Sequence, residues 1–365
     1  MWPDLSRSSE KILIVSPREP CGVAWLINCL LELGIKAYPF ALEAIWQTLP
    51  SGHCRLTERG KTLRKWLPAL SVREDFVFRT GVEVTWHHQW PERSLEKQPV
   101  IFFTRDPRSC LYSRYKREKP DLSFSEFLAF PDPYTLLNKA DHLCLFHLCW
   151  MDFQDFKVFR FEDYKKDDQK TLREILDYAG LDADDKDLAR ATGASTFKSA
   201  AATEQAYRRK HPEDRELINR SGKISEWESD PQAAEAVSQI EHRCADLLQE
   251  CGYGSRSLSL PKRSDYTRHF RFVPFFKAMH IDPDLYVSDE SQIGVLADEV
   301  FEFAESLSED LIRRAGLSGE DTALLLENLS SFCYAAHPSD HRPSLIFGKA
   351  RYKPLKKNTN SRNVC

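Results

Sequence analysis

Short apolar runs alternate along most of the chain with stretches whose apolar positions recur at helical spacing. Lys11–Ser16 (KILIVS), Val100–Phe103 (VIFF) and Lys157–Phe161 (KVFRF) are short runs bounded by turn residues. They predict strands of a parallel sheet, which is covered on both faces and needs no polar side. Val23–Leu33 (VAWLINCLLEL) is apolar nearly all round and meets Gly34, the pattern of a buried helix closed by glycine. Asp168–Gly180 sets Leu172, Ile175, Leu176 and Ala179 on one helical face and also ends on glycine. Ser123–Phe130 opens on a serine cap and stops at Pro131-Asp132-Pro133, with further helices expected over Leu136–Asp155 and Pro231–Cys251. Strands alternating with helices predict an α/β fold, a three-layer sandwich around a central, mostly parallel sheet.

Other segments are less regular. Ile35–Trp46 reads as an edge strand and short helix, Ser51–Leu70 as polar and basic, and Asp75–Arg79 as a strand. Val84–Pro91 (VTWHHQWP) has two adjacent histidines and reads either as a polar-aromatic surface loop or as the carrier of a general base. Ser195–Lys198 begins a polar segment, and Ala206–Arg220, charged and holding Pro212, reads as a lid or loop. Further on, Arg256–Lys277 is basic and aromatic, and Ile281–Asp310 lacks Lys and Arg. In the latter region Ile293, Leu296, Val300, Phe303, Leu307 and Leu311 keep one helical face, and Ser318-Gly319-Glu320-Asp321 caps a second helix over Thr322–Tyr334. The expected organisation is a main α/β domain over 1–257, a helical extension or cap over 258–348 and a basic tail over 349–365.

Composition narrows the class. The 365 residues are 42% hydrophobic and 29% charged, as in soluble globular proteins. The net charge is −4 and the pI about 6.3, so no overall basic field points to nucleic acid; the local basic clusters suit a small anion better. The N-terminal residues carry no apolar signal core, and no run approaches a membrane span. The ten cysteines show no CxxC pair and no zinc spacing, which predicts reduced thiols, a cytoplasmic protein and no metal.

The chemistry concentrates in two strand–turn–helix segments, an arrangement that aims backbone N–H groups at an anion. In Val100–Glu118 the turn carries Arg105, and the helix carries Arg108, Ser109, Ser113, Arg114, Lys116 and Arg117. The other segment is Lys11–Ser16, the turn Pro17–Gly22, then the helix from Val23. It lacks GxxxxGK[ST], hence the lysine and Mg-binding hydroxyl of P-loop phosphotransferases, which weighs against a nucleotide phosphotransferase.

Together these pieces resemble sulfotransferases that use 3′-phosphoadenosine-5′-phosphosulfate (PAPS), over roughly residues 10–255. Arg105-Asp106-Pro107-Arg108 with Ser113 matches the family's 3′-phosphate motif in residue type and spacing. Phe161-Glu162-Asp163-Tyr164 with Leu172, Ile175 and Ala179-Gly180-Leu181 is similar to the family's strand and helix after the substrate region. Ser195-Thr196-Phe197 resembles its adenine-side segment, and Arg220-Ser221-Gly222 with Trp227 its late Arg-Lys-Gly…Trp motif. The first loop keeps the Gly22-to-Trp25 spacing of Pro-[Lys/Arg]-Ser-Gly-Thr-x-Trp, but Glu19-Pro20-Cys21 replaces one serine, and Val23 and Ala24 replace the usual hydroxyls.

The resemblance implies a P-loop-like fold and transfer of a sulfuryl group from PAPS to a hydroxyl or amine of a small-molecule acceptor, leaving PAP and needing no metal. Arg18, Gly22, Val23 and Ala24 would hold the 5′-phosphate, with Arg18 also stabilising the leaving oxygen. Arg105, Ser113, Arg220, Ser221 and Gly222 would hold the 3′-phosphate; Trp25, Thr196 and Phe197 would face the adenine. The family's Lys-[Thr/Ser]-His run corresponds to Thr85-Trp86-His87 with His88 next, which makes His87 the first choice of base and His88 the second. A PAPS- or PAP-binding relative without catalysis is the alternative within the family. The C-terminal extension could cover the acceptor pocket, dock on the main sheet or mediate a homodimer; an acidic cap would favour a cationic acceptor.

Overall fold

The computed structural model describes residues 11–39, 45–79, 82–91, 95, 98–118, 120–153, 156–212, 219–254, 300 and 302–336. The chain divides into two compact units interleaved in sequence: segments 1–89, 93–117 and 151–227 form the first, and 90–92, 118–150 and 228–365 the second.

The first unit is built on a five-stranded sheet in the order β2-β6-β1-β7-β8. Its strands are β1 (Lys11–Val15), β2 (Lys36–Pro39), β6 (Glu83–His87), β7 (Val100–Thr104) and β8 (Lys157–Arg160), and every pairing is parallel. Three short strands, β3 (Trp46–Thr48), β4 (Cys54–Leu56) and β5 (Asp75–Phe76), form a separate antiparallel sheet. The helices of this unit include α1 (Val23–Glu32), α2 (Glu58–Lys61), α3 (Pro68–Val72), α4 (Pro107–Glu118, all but its last residue) and the four helices between 161 and 210 given below.

On one sheet face Ile12, Ile14, Ile101 and Phe103 join α1 residues such as Leu26 and Leu30 in one apolar cluster. Leu13, Val15, Val100 and Phe102, which alternate with them, are equally buried. Both faces are therefore covered, as a parallel sheet requires. The expected α/β sandwich around a parallel sheet is the observed fold class.

The strands expected at Lys11, Val100 and Lys157 form within a residue or two, although Phe161 starts a helix rather than ending β8. Val84–Pro91 differs more. Its first half is β6, an interior strand hydrogen-bonded to β2 on one side and β1 on the other. Thr85 and His87 are buried there despite their polarity, because neighbouring strands satisfy the backbone and the sheet faces enclose the side chains.

Chain order continues with α5 (Phe124–Ala129) and α6 (Lys139–Phe153), then α7 (Phe161–Lys166), α8 (Asp168–Ala179), α9 (Asp185–Ala194) and α10 (Phe197–Lys210). The four Leu172–Ala179 positions named above are buried in α8, and Gly180 closes the helix in the left-handed region. Ser123 makes a full capping box with Glu126. The polar segment that begins at Ser195–Lys198 is helical: Thr196 caps α10 by accepting from the Ser199 N–H. Ala206–Lys210 lies within α10, and residues 213–218 of the expected lid are outside the described residues.

The second unit holds α5, most of α6, and α11 (Ala234–Arg243), α12 (Ala245–Glu250), α13 (Glu309–Ala315) and α14 (Gly319–Ala336). The Ser318 cap is present, its Oγ accepting from the Asp321 N–H at 3.0 Å. Residues 255–299, with most of the basic and acidic segments, and the tail from 337 lie outside the described residues. No described helix is long and apolar enough to cross a membrane.

Candidate anion-binding and active site

Because β1, β6, β7 and β8 are parallel, the turns after them gather at one edge of the sheet. The chain leaves β1 for β2 on one side, and later passes from β7 to β8 on the other. Such a switch point is where α/β sheets leave a crevice for a ligand. All the candidate site residues belong to the first unit.

The turn after β1 ends at Gly22, whose φ of +84° favours glycine. A Cβ there would lie 2.5 Å from Phe161 Cδ2, so the ring of α7 also excludes any side chain. Gly22 is the N-cap of α1 and supplies no side-chain cap. The N–H groups of Val23 and Ala24 at the start of α1 are thus placed for an anion. Arg18 is exposed, whereas Glu19 turns inward: its side chain is 0% exposed and accepts from Arg114 Nη1 at 2.7 Å. The extra acidic residue of the loop is therefore held by α4 rather than set against the anion. Arg114, 14% exposed, is accordingly committed to the first loop.

Arg105 follows β7 and is 6% exposed. Its Nη1 donates to the Pro20 carbonyl at 3.1 Å and its Nη2 to the Lys223 carbonyl at 2.8 Å. Its guanidinium stacks 4.4 Å above the Phe161 ring. One side chain thus joins the first loop, the turn after β7 and the late Gly222 loop. Arg108 is committed to Asp106 by a pair of hydrogen bonds, 3.0 Å from Nε to Oδ1 and 2.6 Å from Nη2 to Oδ2, and lies 5.2 Å over Trp227. Ser109 Oγ accepts from the Ser225 N–H at 3.3 Å, and Ser113 is buried on α4.

The late loop is folded on itself. Gly222, at φ +63°, meets the Phe197 ring, which would stand 2.6 Å from a Cβ. Arg220 grips Glu226 with both terminal nitrogens, and Ser221 Oγ donates to the same carboxylate at 2.8 Å. The Arg220 bond holds the Glu226 carboxyl below its ordinary range. Glu226 was not among the residues singled out from the sequence; an acid six residues from Arg220 across a glycine turn was the available signal.

Trp25 is 8% exposed and Tyr164 stacks on one of its faces at 4.3 Å and 12°. On that face the protein's own ring, rather than open space, meets the expected adenine platform. Phe197 packs on Gly222 and Thr196 caps α10, so both sit beside the late loop but are engaged structurally.

The two histidines close β6 and differ in tautomer. The Gln89 N–H donates to His87 Nδ1 at 3.0 Å, so neutral His87 carries its proton on Nε2. Burial pushes its pKa down to about 3. His88 Nδ1 lies 2.9 Å from the Ser16 carbonyl oxygen, which accepts only if Nδ1 is protonated; Nε2 is then the basic atom. Burial also lowers the His88 pKa, partly opposed by the Ser16 carbonyl.

The site fits a ligand bearing phosphates. The Nε atoms of Arg105 and Arg220 are buried without a hydrogen-bond partner among the described residues, and the start of α1 has no side-chain cap. No cluster of three metal-ligating side chains occurs among the described residues.

No family model matches the chain, and no curated protein matches it. Solved structures do. A mouse sulfotransferase, SULT7A1, complexed with PAP is 16% identical with a TM-score of 0.45, the match covering 68% of this chain and 90% of that one. Retinol dehydratase with androsterone and the inactive cofactor PAP is 16% identical with a TM-score of 0.44, over 70% and 83% of the two chains. The same enzyme with retinol and PAP gives 16% and 0.44, over 69% and 83%. At these values the matches assign no activity to this chain.

Proposed function

We propose that the chain is a PAPS-dependent sulfotransferase acting on a hydroxyl or amine of a small molecule. The observation that carries this reading is the reach of Arg105. Three motif segments far apart in sequence, around Pro20, Arg105 and Lys223, meet at one guanidinium within hydrogen-bonding distance. They are the same segments in which the sequence resembles the donor-binding motifs of the family.

In this reading the N–H groups at Val23 and Ala24 hold the 5′-phosphate, with Arg18 beside the loop. Arg105, Ser113, Arg220, Ser221 and the Gly222 backbone hold the 3′-phosphate, for which Arg suits bidentate contact. His88 takes the acceptor proton on Nε2, its ring fixed by Ser16; its lowered pKa leaves the ring neutral, with Nε2 free of a proton, at pH 7. This reverses the order expected from the sequence. His87, already protonated at Nε2 and enclosed, is a positioning residue. Bound PAPS supplies an activated sulfuryl group: the acceptor oxygen or nitrogen bonds to sulfur as the bond to the 5′-phosphate oxygen breaks. The α1 N-terminus stabilises the charge left on that oxygen.

A second reading, a PAP-binding relative without catalysis, is favoured by the altered first loop, where Val23 and Ala24 replace the usual hydroxyls, and by the lack of a lysine ahead of His87. The separating test is thermal stabilisation by PAP against ATP–Mg, followed by transfer of labelled sulfate from PAPS. A native-state ligand at one hundred times its Kd stabilises by about 2.7 kcal/mol. Stabilisation by PAP with transfer supports the enzyme, and without transfer the second reading. Stabilisation by ATP–Mg alone refutes both.

A further inference from the structure

Two free cysteines face each other inside the site, and neither has a part in the proposed reaction. Cys21 immediately precedes Gly22 in the first loop, and Cys110 sits in the first turn of α4. Both side chains are buried, and their Sγ atoms are 3.5 Å apart. The loop backbone is already drawn to this spot, since Cys110 Sγ lies 3.9 Å from the Pro20 carbonyl oxygen, which Arg105 also holds. A disulfide has an S–S length near 2.05 Å, so the sulfurs need to close by about 1.5 Å, a shift within reach of side-chain torsions.

We infer that Cys21 and Cys110 are a reversible disulfide site that staples the first loop to α4. The oxidant is a low-molecular-weight disulfide such as glutathione disulfide. The Cys21 thiolate attacks one of its sulfurs, forming a mixed disulfide and releasing one glutathione thiolate, which takes up a proton. The Cys110 thiolate then attacks the Cys21 sulfur and displaces the second glutathione. The protein loses two electrons and two protons, and glutathione disulfide is reduced to two thiols.

Cys21 takes the first step because it lies in the turn before α1, outside any helix, whereas Cys110 is inside α4. Burial holds the Cys110 thiol protonated in the closed site, so the exchange follows local opening of the loop and is slow. Cross-linking fixes residues 16–22 against α4 and removes that opening. On the proposed reading of the site, bound PAP holds the loop closed and protects both thiols.

The test is incubation of the full-length chain with glutathione disulfide, followed by non-reducing digestion and mass spectrometry. The expected product is a Cys21–Cys110 linked peptide that dithiothreitol removes. Cys110→Ser should stop the reaction at a glutathione adduct on Cys21, and Cys21→Ser should leave Cys110 a free thiol. Hydrogen exchange should slow at residues 17–22 in the oxidised wild-type chain, a readout that needs no variant. The inference is overturned if both thiols stay free while other cysteines are modified, or if the link appears only in urea. The link forms without nucleotide, so its failure and a failure to bind PAP are read separately; a linked chain that PAP binding does not protect overturns only the loop-closing role.

Discussion

Removing the Arg105 side chain tests how the site is assembled. Arg105→Ala loses two charge-assisted hydrogen bonds, at 3.1 and 2.8 Å, and a guanidinium 4.4 Å above Phe161. Each such hydrogen bond contributes about 1.5–3 kcal/mol, and the cation–π contact about 0.5–2 kcal/mol. The freed carbonyls of Pro20 and Lys223 lie in surface turns and recover part of that loss from water. The expected net cost is about 2–4 kcal/mol. Arg105→Lys keeps the charge but reaches one carbonyl only, so it should fall between wild type and Ala. Urea unfolding gives the stability, with the slope against urea unchanged because the exposed surface is the same. Hydrogen exchange should speed up at residues 17–22 and 220–227 together, although the two segments are far apart in sequence. A stability change under about 0.5 kcal/mol, within the range of ordinary surface substitutions, with unchanged exchange in both loops, would refute the reasoning.

Three further outcomes are expected. Arg114→Ala removes a guanidinium 2.7 Å from the enclosed Glu19 carboxylate and should cost about 3–5 kcal/mol by urea unfolding; the double variant with Glu19→Gln should recover much of it, and failure to do so would mean the pair is not coupled. His87 has a folded pKa near 3, below its unfolded value of 6.5, so the unfolded state binds more protons between those values and stability falls on acidification. The His87 contribution is complete above pH 6.5 and is lost towards pH 3 at up to about 1.4 kcal/mol per pH unit; His87→Gln should flatten the wild-type slope between pH 7 and 5, and an identical slope would contradict the burial argument. Glu226→Gln removes the carboxylate that neutralises Arg220 and should tighten PAP binding several-fold by calorimetry, whereas weaker binding would mean that Glu226 aims Arg220 rather than competing for it.

How legible the molecule is in its sequence depends on whether the deciding contact is local. Strands β1 and β7 are buried on both faces beyond the exposed Lys11 and announce themselves as apolar runs, and β8 as a shorter mixed run around Phe159. α8 shows its buried stripe and closing glycine, and α5 its capping box, because those signals lie within a turn or two of chain. Strand β6 hides, since Thr85 and His87 are polar and their burial is imposed by strands distant in sequence. Arg105, Arg220 and Gly22 were readable as types at particular spacings. Their company was not. Glu19 finds Arg114, and Cys21 finds Cys110, only after the first loop and α4 are brought to the same sheet edge. The tautomers of His87 and His88 likewise depend on Gln89 folding back and on Ser16 lying in the neighbouring strand's exit.

The most direct test of the central claim is sulfate transfer from labelled PAPS to a panel of phenols, alcohols and amines, run with wild type, His88→Asn and His87→Asn. The account predicts transfer by wild type, a loss of about a hundredfold or more in His88→Asn, the usual worth of a general base, and a much smaller loss in His87→Asn. Undiminished transfer by His88→Asn, or PAP binding without transfer to any member of the panel, would contradict it.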